Sequence, residues 1–211
     1  IPSKTNEARN KEERTEYAPQ VNEEHELYIS SLVTRVREQK RWTQRDEKDA
    51  ADGFLSIYYP AQQVIDRERG RNSQAGVDAI ADTNMYSHGL ADALLAMPVK
   101  QRSVMKQTIQ DTIVTQLIRS GDTRSEEQLR NGNELKEFNA AMTGARLELL
   151  AHESVEKYKK QLGVASVEFA SLTDDIKGGY DLVLIDDNGT IHRIDIKSKG
   201  SFEKLINENP K

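Results

Sequence analysis

The apolar residues of this chain recur at helical spacing as far as Leu162 and change period at Val164, after which they alternate. No other feature constrains the fold as much. A 3.6-residue period and a two-residue period bury one face only in different kinds of element. Residues 22–58 carry Leu27, Ile29, Leu32, Val33 and Val36 at helical spacing, then become strongly charged, with Gly53 as an interruption and Pro60 as the expected break. Residues 61–97 read as two short helices with a loop near 69–76, and Pro98 opens the next unit. Residues 101–119 form an amphipathic helix with Met105, Ile109, Ile113, Val114 and Leu117 on one stripe and Gly121 as its stop. Ser125 with Gln128 three positions on is a capping-box pattern for a short helix ending near Gly132. A long helix over about 134–162 puts Leu135, Phe138, Met142, Ala145 and Leu149 on one face and ends at Gly163.

Beyond Gly163, VASVEFASL (164–172) reads as a strand, GYDLVLID (179–186) as a second and TIHRIDIKSK (190–199) as a third, with Asp187-Asn188-Gly189 as the turn between the last two. The expected fold class is α+β. A helical N-terminal region over 22–130 precedes a module over 133–211 that holds a small sheet with its β-hairpin. Residues 1–20 are polar and contain two prolines, which predicts a disordered or extended arm. The final SFEKLINENPK offers one helical turn at most.

Composition narrows the function classes. Hydrophobic residues are 36% and charged residues 31%, the net charge is -5, and there is no cysteine. Disulfide scaffolds, thiolate zinc sites and Cys nucleophiles are therefore excluded. His25, His88, His152 and His192 are too scattered to argue for an all-His zinc site. No run approaches the roughly 18 apolar residues of a membrane span, and the first 25 residues contain no signal-peptide core. The expected setting is cytoplasmic or virion-associated. The acidic balance provides no general basic coat for nucleic acid, so such binding must use a local patch or metal ions that offset carboxylate charge. The chain starts at Ile1, which fits either a processed terminus or a boundary within a longer chain.

The chemistry concentrates in the hairpin. Asp195 and Lys197 are two apart on a strand and share a face, with Arg193 before them, while Ile194 and Ile196 point the other way. If Asn188 and Gly189 alone made the turn, Asp181 would lie opposite Ile196. The three-residue loop Asp187-Asn188-Gly189, with Gly189 in the left-handed conformation, instead sets Asp181 opposite Asp195. Two carboxylates that close repel unless a cation lies between them. A hard divalent ion such as Mg²⁺ or Mn²⁺ suits them, and a nearby lysine can orient or deprotonate an attacking water. The alternative is a solvent-facing hairpin with a cross-strand ion pair.

This arrangement resembles the PD-(D/E)xK nuclease superfamily, which has the restriction-endonuclease-like fold. In that family an upstream helix supplies a Glu, a strand follows, and a hairpin carries Asp and then Asp/Glu-x-Lys. Here Gly144-Ala-Arg-Leu-Glu148 resembles the helix motif, residues 164–172 the strand, Asp181 the first Asp, and Asp195-Ile196-Lys197 the Asp-x-Lys. Gly179 and Tyr180 stand where the family often has a proline. The resemblance covers about 140–200. It implies that Asp181, Asp195 and the Ile196 carbonyl bind metal, that Glu148 does so directly or through water, and that Lys197 positions the water. It implies a Mg²⁺-dependent deoxyribonuclease, with DNA favoured over RNA, belonging to a phage, toxin or defence setting.

Other residues stay open to two readings. Glu153 and Glu156 rival Glu148 on the same helix. His152, one turn after Glu148, could touch phosphate or could be a surface histidine. Arg193 and Lys199 could hold phosphates or simply be solvated. Lys157, Lys159 and Lys160 could meet a nucleic-acid backbone or serve the helix C-terminus. Trp42, among Lys and Arg, could be an interface residue or lie under their stems. A second function is a structural or assembly subunit, such as a virion component, with an inert nuclease-like module and a protein partner contacted through residues 1–58.

Overall fold

The computed structural model describes residues 22–39, 41–69, 71, 73–171 and 179–197. The arm expected over 1–20, the closing helical turn and Lys199 lie outside them. Among the described residues, seven α-helices precede a three-stranded antiparallel sheet: α1 (Glu23–Gln39), α2 (Gln44–Gly53), α3 (Tyr59–Glu68), α4 (Gln74–Leu95), α5 (Val99–Arg119), α6 (Glu126–Arg130) and α7 (Asn133–Leu162), then β1 (Val164–Phe169), β2 (Leu182–Asp186) and β3 (Ile191–Ile194) in that spatial order. The α+β class and the helical N-terminal region stand as expected. No described helix is long and apolar enough to cross a membrane.

The charged stretch after Val36 breaks at 41–43 rather than at Gly53 or Pro60. Thr43 makes the break by capping α2. Its hydroxyl accepts from the Asp46 amide, while the Asp46 carboxylate takes the Thr43 amide at 2.9 Å. Asp46 is buried, and Arg35 donates to it at 3.1 Å. Burial pushes the Asp46 carboxyl up, but the Thr43 and Arg35 hydrogen bonds outweigh that and leave it below its ordinary value.

Gly53 does not interrupt the helix. It takes helical angles, and the ring edges of Tyr86 and Tyr28 lie where a side chain would stand, 3.1 and 3.2 Å from a Cβ at that position. Those tyrosines donate to the Ala50 and Asp49 carbonyls, each at 2.7 Å. A π-helical turn, Phe54–Tyr58, follows at once. Pro60 does not break the helix either: it follows directly on the π turn as the second residue of α3.

The core is built around this turn. Phe54 lies edge-on to Phe138 of α7 with centroids 5.4 Å apart and stacks on Tyr58 at 5.4 Å. Ile29, Leu32 and Val36 of α1, Tyr86, Leu90 and Leu94 of α4, and Ile109, Ile113 and Val114 of α5 complete it, and Trp42 packs against it half-buried. Helix α1 crosses α4 at Gly89, where a Cβ would come within 2.5 Å of Ile29.

Helix α7 joins the two regions. Leu135, Phe138 and Met142 in its first half belong to the helical core. Its second half carries β1 and ends at Gly163, a left-handed cap at φ +66°. Val167 of β1 and Leu182 of β2 are the buried residues of the sheet.

The strands are shorter than the pattern predicts. β1 stops at Phe169, β2 starts at Leu182 rather than 179, and residues 195–197 fall outside the ladder. The backbone at Asp181 explains the break. In a regular strand one residue's amide and carbonyl serve the same neighbour. The Asp181 carbonyl instead accepts from Ala170 at 2.9 Å while its amide donates to Ile194, on the opposite side, at 2.8 Å.

Candidate active site at the hairpin end

The β2–β3 register pairs Leu182 with Ile194, Val183 with Arg193, Leu184 with His192 and Ile185 with Ile191. Asp181 and Asp195 lie one step beyond its last pair, where the Asp181 amide donates to the Ile194 carbonyl at 2.8 Å. The turn is the three-residue loop, closed by the Asp186 amide donating to Thr190 at 3.0 Å, with Gly189 at φ +80°. The Asp186 side chain fixes that loop. Its Oδ1 accepts from the amides of Thr190 and Asn188 at 2.8 and 2.9 Å, and its Oδ2 meets His192 Nε2 at 3.1 Å. The Thr190 amide, then His192 and Asn188, hold the Asp186 carboxyl down at about 2.

At the open end of the hairpin, Asp181 Oδ2 accepts the Ile196 amide hydrogen. Ile196 thus meets Asp181 through its N–H. Lys197 Nζ lies 2.6 Å from Asp195 Oδ1, so those two side chains point together. Arg193 is exposed on β3. Asp181 and the 195–197 segment are therefore brought to one place.

Glu148 is reached by a different route. On α7 its Oε2 pairs with Nε2 of His88, from α4, at 2.6 Å. The His88 ring lies 5.2 Å from that of Phe169, and His152 stacks on Phe169 at 4.6 Å and 11°. His152 is thus an aromatic packing partner of β1. Phe169 pairs with Leu182, and its neighbour Ala170 donates to the Asp181 carbonyl. Glu148, His88, Phe169 and Asp181 form a chain of neighbours at one end of the sheet. Among the described residues, no three His, Asp or Glu side chains group so as to hold a metal ion. Glu156, the rival acid, pairs with Lys159. Lys157 lies over the Tyr158 ring, so these lysines have local partners near the helix end.

His88 and Glu148 close one end of a cleft of about 390 Å³ between α3, α4 and α7. Its walls include Tyr58, Asn84, Ser87 and the small residues Ala141 and Gly144. Burial pushes the Tyr58 hydroxyl up to about 12.

Comparison with protein-family models, curated proteins and solved structures yields no match. The functional reading thus rests on the chain's own residues. Sequence reasoning missed His88 and Phe169. His88 stands 60 residues before Glu148, so no spacing rule connects them. Phe169 was legible as a strand residue, but its two histidine neighbours come from two different helices.

Proposed function

We propose that the chain is a metal-dependent nuclease of PD-(D/E)xK type that hydrolyses phosphodiester bonds in DNA. The observation that supports this reading is the meeting of Asp181 with the Asp195-Ile196-Lys197 segment at the hairpin end, where Asp181 accepts the Ile196 amide hydrogen and Lys197 lies against Asp195. Carboxylate oxygens are the donors that a hard divalent cation such as Mg²⁺ or Mn²⁺ takes, and Asp181 and Asp195 bring theirs to the strand end. Asp181, Asp195, Glu148 and the Ile196 carbonyl would hold the ion. When bound, it would supply Lewis-acid stabilisation of charge building on the phosphate. Lys197 orients the attacking water. The water oxygen would bond to phosphorus as the bond from phosphorus to the leaving sugar oxygen breaks, the water's proton passing to solvent and the leaving oxygen taking one from solvent. Arg193 and Lys199 are placed by sequence to neutralise flanking phosphates.

One observation favours the second reading, an assembly subunit with an inert module contacting a protein partner through residues 1–58. The three acids already have protein partners: Glu148 with His88, Asp181 with Ile196, and Asp195 with Lys197. Calorimetric Mn²⁺ binding to the intact chain, with plasmid cleavage on the same samples, separates the two. The nuclease reading expects binding lost in Asp195→Ala and kept in Lys197→Ala, with cleavage lost in both. An intact chain that neither binds Mn²⁺ nor cuts DNA leaves the assembly reading.

A further inference from the structure

The cleft between α3, α4 and α7 contains no residue of the hairpin. At its end, Glu148 has one carboxylate oxygen engaged and one open. Its Oε2 pairs with His88 Nε2 at 2.6 Å. Its Oε1 lies beside Gly144, 3.7 Å from the place of a Cβ there, and accepts no hydrogen bond among the described residues.

A second open group lines the same space. Tyr58, the last residue of the π-helical turn, is only 7% exposed, yet its hydroxyl has no hydrogen-bond partner among the described residues. Its neighbours Tyr28 and Tyr86 both spend theirs on α2 carbonyls. Tyrosine hydroxyls in the interior are ordinarily paired, so one left open beside a cavity suits a partner from outside. Turns of the π type recur at functional sites.

The rest of the lining narrows the ligand. It contains no lysine or arginine, so nothing there offsets a phosphate or a carboxylate. Ala141 and Gly144 leave the α7 wall low enough for a ring to lie against it, and Ile65 of α3 adds apolar surface. A few fixed polar groups in such a setting set the orientation of a small ligand.

We propose that this cleft binds a small planar nitrogen heterocycle bearing an amino group. The amino group donates to Glu148 Oε1, and the Tyr58 hydroxyl bonds a second heteroatom of the ligand. Nucleobases and nucleosides belong to this class, and a volume of about 390 Å³ falls in the range of small-molecule sites. The binding needs no metal ion and does not rest on the nuclease reading. Glu148 serves this ligand whether or not the hairpin acids take an ion.

The test uses the full chain in EDTA with four nucleosides as probes. Adenosine and cytidine carry the amino group, and inosine and uridine carry a carbonyl in its place. Affinity is read by calorimetry and protein-observed NMR, with melting curves for each variant. The expected result is saturable binding of adenosine or cytidine, about tenfold or more tighter than its carbonyl counterpart, because that carbonyl would face an unpaired carboxylate oxygen. Glu148→Gln should erase the preference. Tyr58→Phe should weaken binding several-fold with melting unchanged, since the hydroxyl has no internal partner to lose. Gly144→Leu should fill the cleft and abolish binding. No saturable binding of any probe, or equal affinity for the amino and carbonyl members of each pair, overturns the proposal. Binding that survives Gly144→Leu in a folded chain overturns it too. Should that variant fail to fold, Tyr58→Phe decides, and unchanged affinity there overturns the assignment.

Discussion

Asp181 takes the amide hydrogen of Ile196 on its carboxylate, and this bond closes the hairpin at the end where the ladder has already stopped. One side chain thus serves the local backbone and, on the nuclease reading, the ion. The two roles separate by substitution. Asp181→Asn keeps an acceptor oxygen for Ile196 and removes the charge. Its stability should stay close to the parent's, while Mn²⁺ binding and cleavage are lost. Asp181→Ala also orphans the Ile196 amide, and denaturant unfolding should record a further loss of about 1 kcal/mol. Equal metal affinity in the parent and Asp181→Asn would sink the assignment of Asp181 as a ligand.

The hairpin turn should be acid-sensitive. The Asp186 carboxyl is held at about 2 in the folded chain against an ordinary 3.8, so the charged form is the one that folding favours. Its stabilisation is fully present above about 3.8 and is lost as pH falls through about 2. Amide exchange at Thr190 and Asn188, corrected for intrinsic rates, should lose protection across that window. In Asp186→Asn the same amides should show no such step.

Two glycines on helices should respond in opposite directions. Gly89→Ala forces a methyl to within 2.5 Å of Ile29 and drives α1 from α4. Overpacking of this kind costs about 1–3 kcal/mol, which thermal unfolding would record. Gly144→Ala meets only Glu148 Oε1 at 3.7 Å and should raise stability through helix propensity, by up to about 1 kcal/mol.

Asp46 is buried and shared between the Thr43 cap and Arg35. Asp46→Ala removes the acceptor for both, and a loss of about 1–3 kcal/mol is expected from urea titration. Asp46→Asn, which can still accept from Thr43, should lose less. A loss below 0.5 kcal/mol in Asp46→Ala would show that Arg35 finds a replacement, with about 1 kcal/mol being the usual worth of the cap alone.

What the sequence revealed was mostly local. Ser125 and Gln128, Pro98, Gly163 and the Asp187-Asn188-Gly189 loop each signal within a few residues, and each stands where its chemistry predicts. Thr43 with Asp46 was equally local but lay inside a charged stretch that read as continuous helix. Gly53 and Pro60 misled because the helix runs on through both, with tyrosine ring edges beside Gly53 and a π turn directly before Pro60. The ladder break at Asp181 and the His88–Glu148 pair depend on neighbours brought by the fold, and no periodicity encodes them. On the candidate site, the three-residue turn could be counted from the sequence, whereas the partner of Glu148 could not.

The 30-residue helix α7 has a consequence for how the chain comes apart. Its first half is anchored among the aromatic residues around Phe54, and its second half is the platform for β1. A rod gripped at both ends ties the opening of one region to that of the other. A fragment beginning at Asn133 would carry Leu135, Phe138 and Met142 into water, where a stripe of this kind invites self-association. The sheet and the bundle should therefore melt in one transition, and a nick near Gly132 should release neither as an independent folding unit.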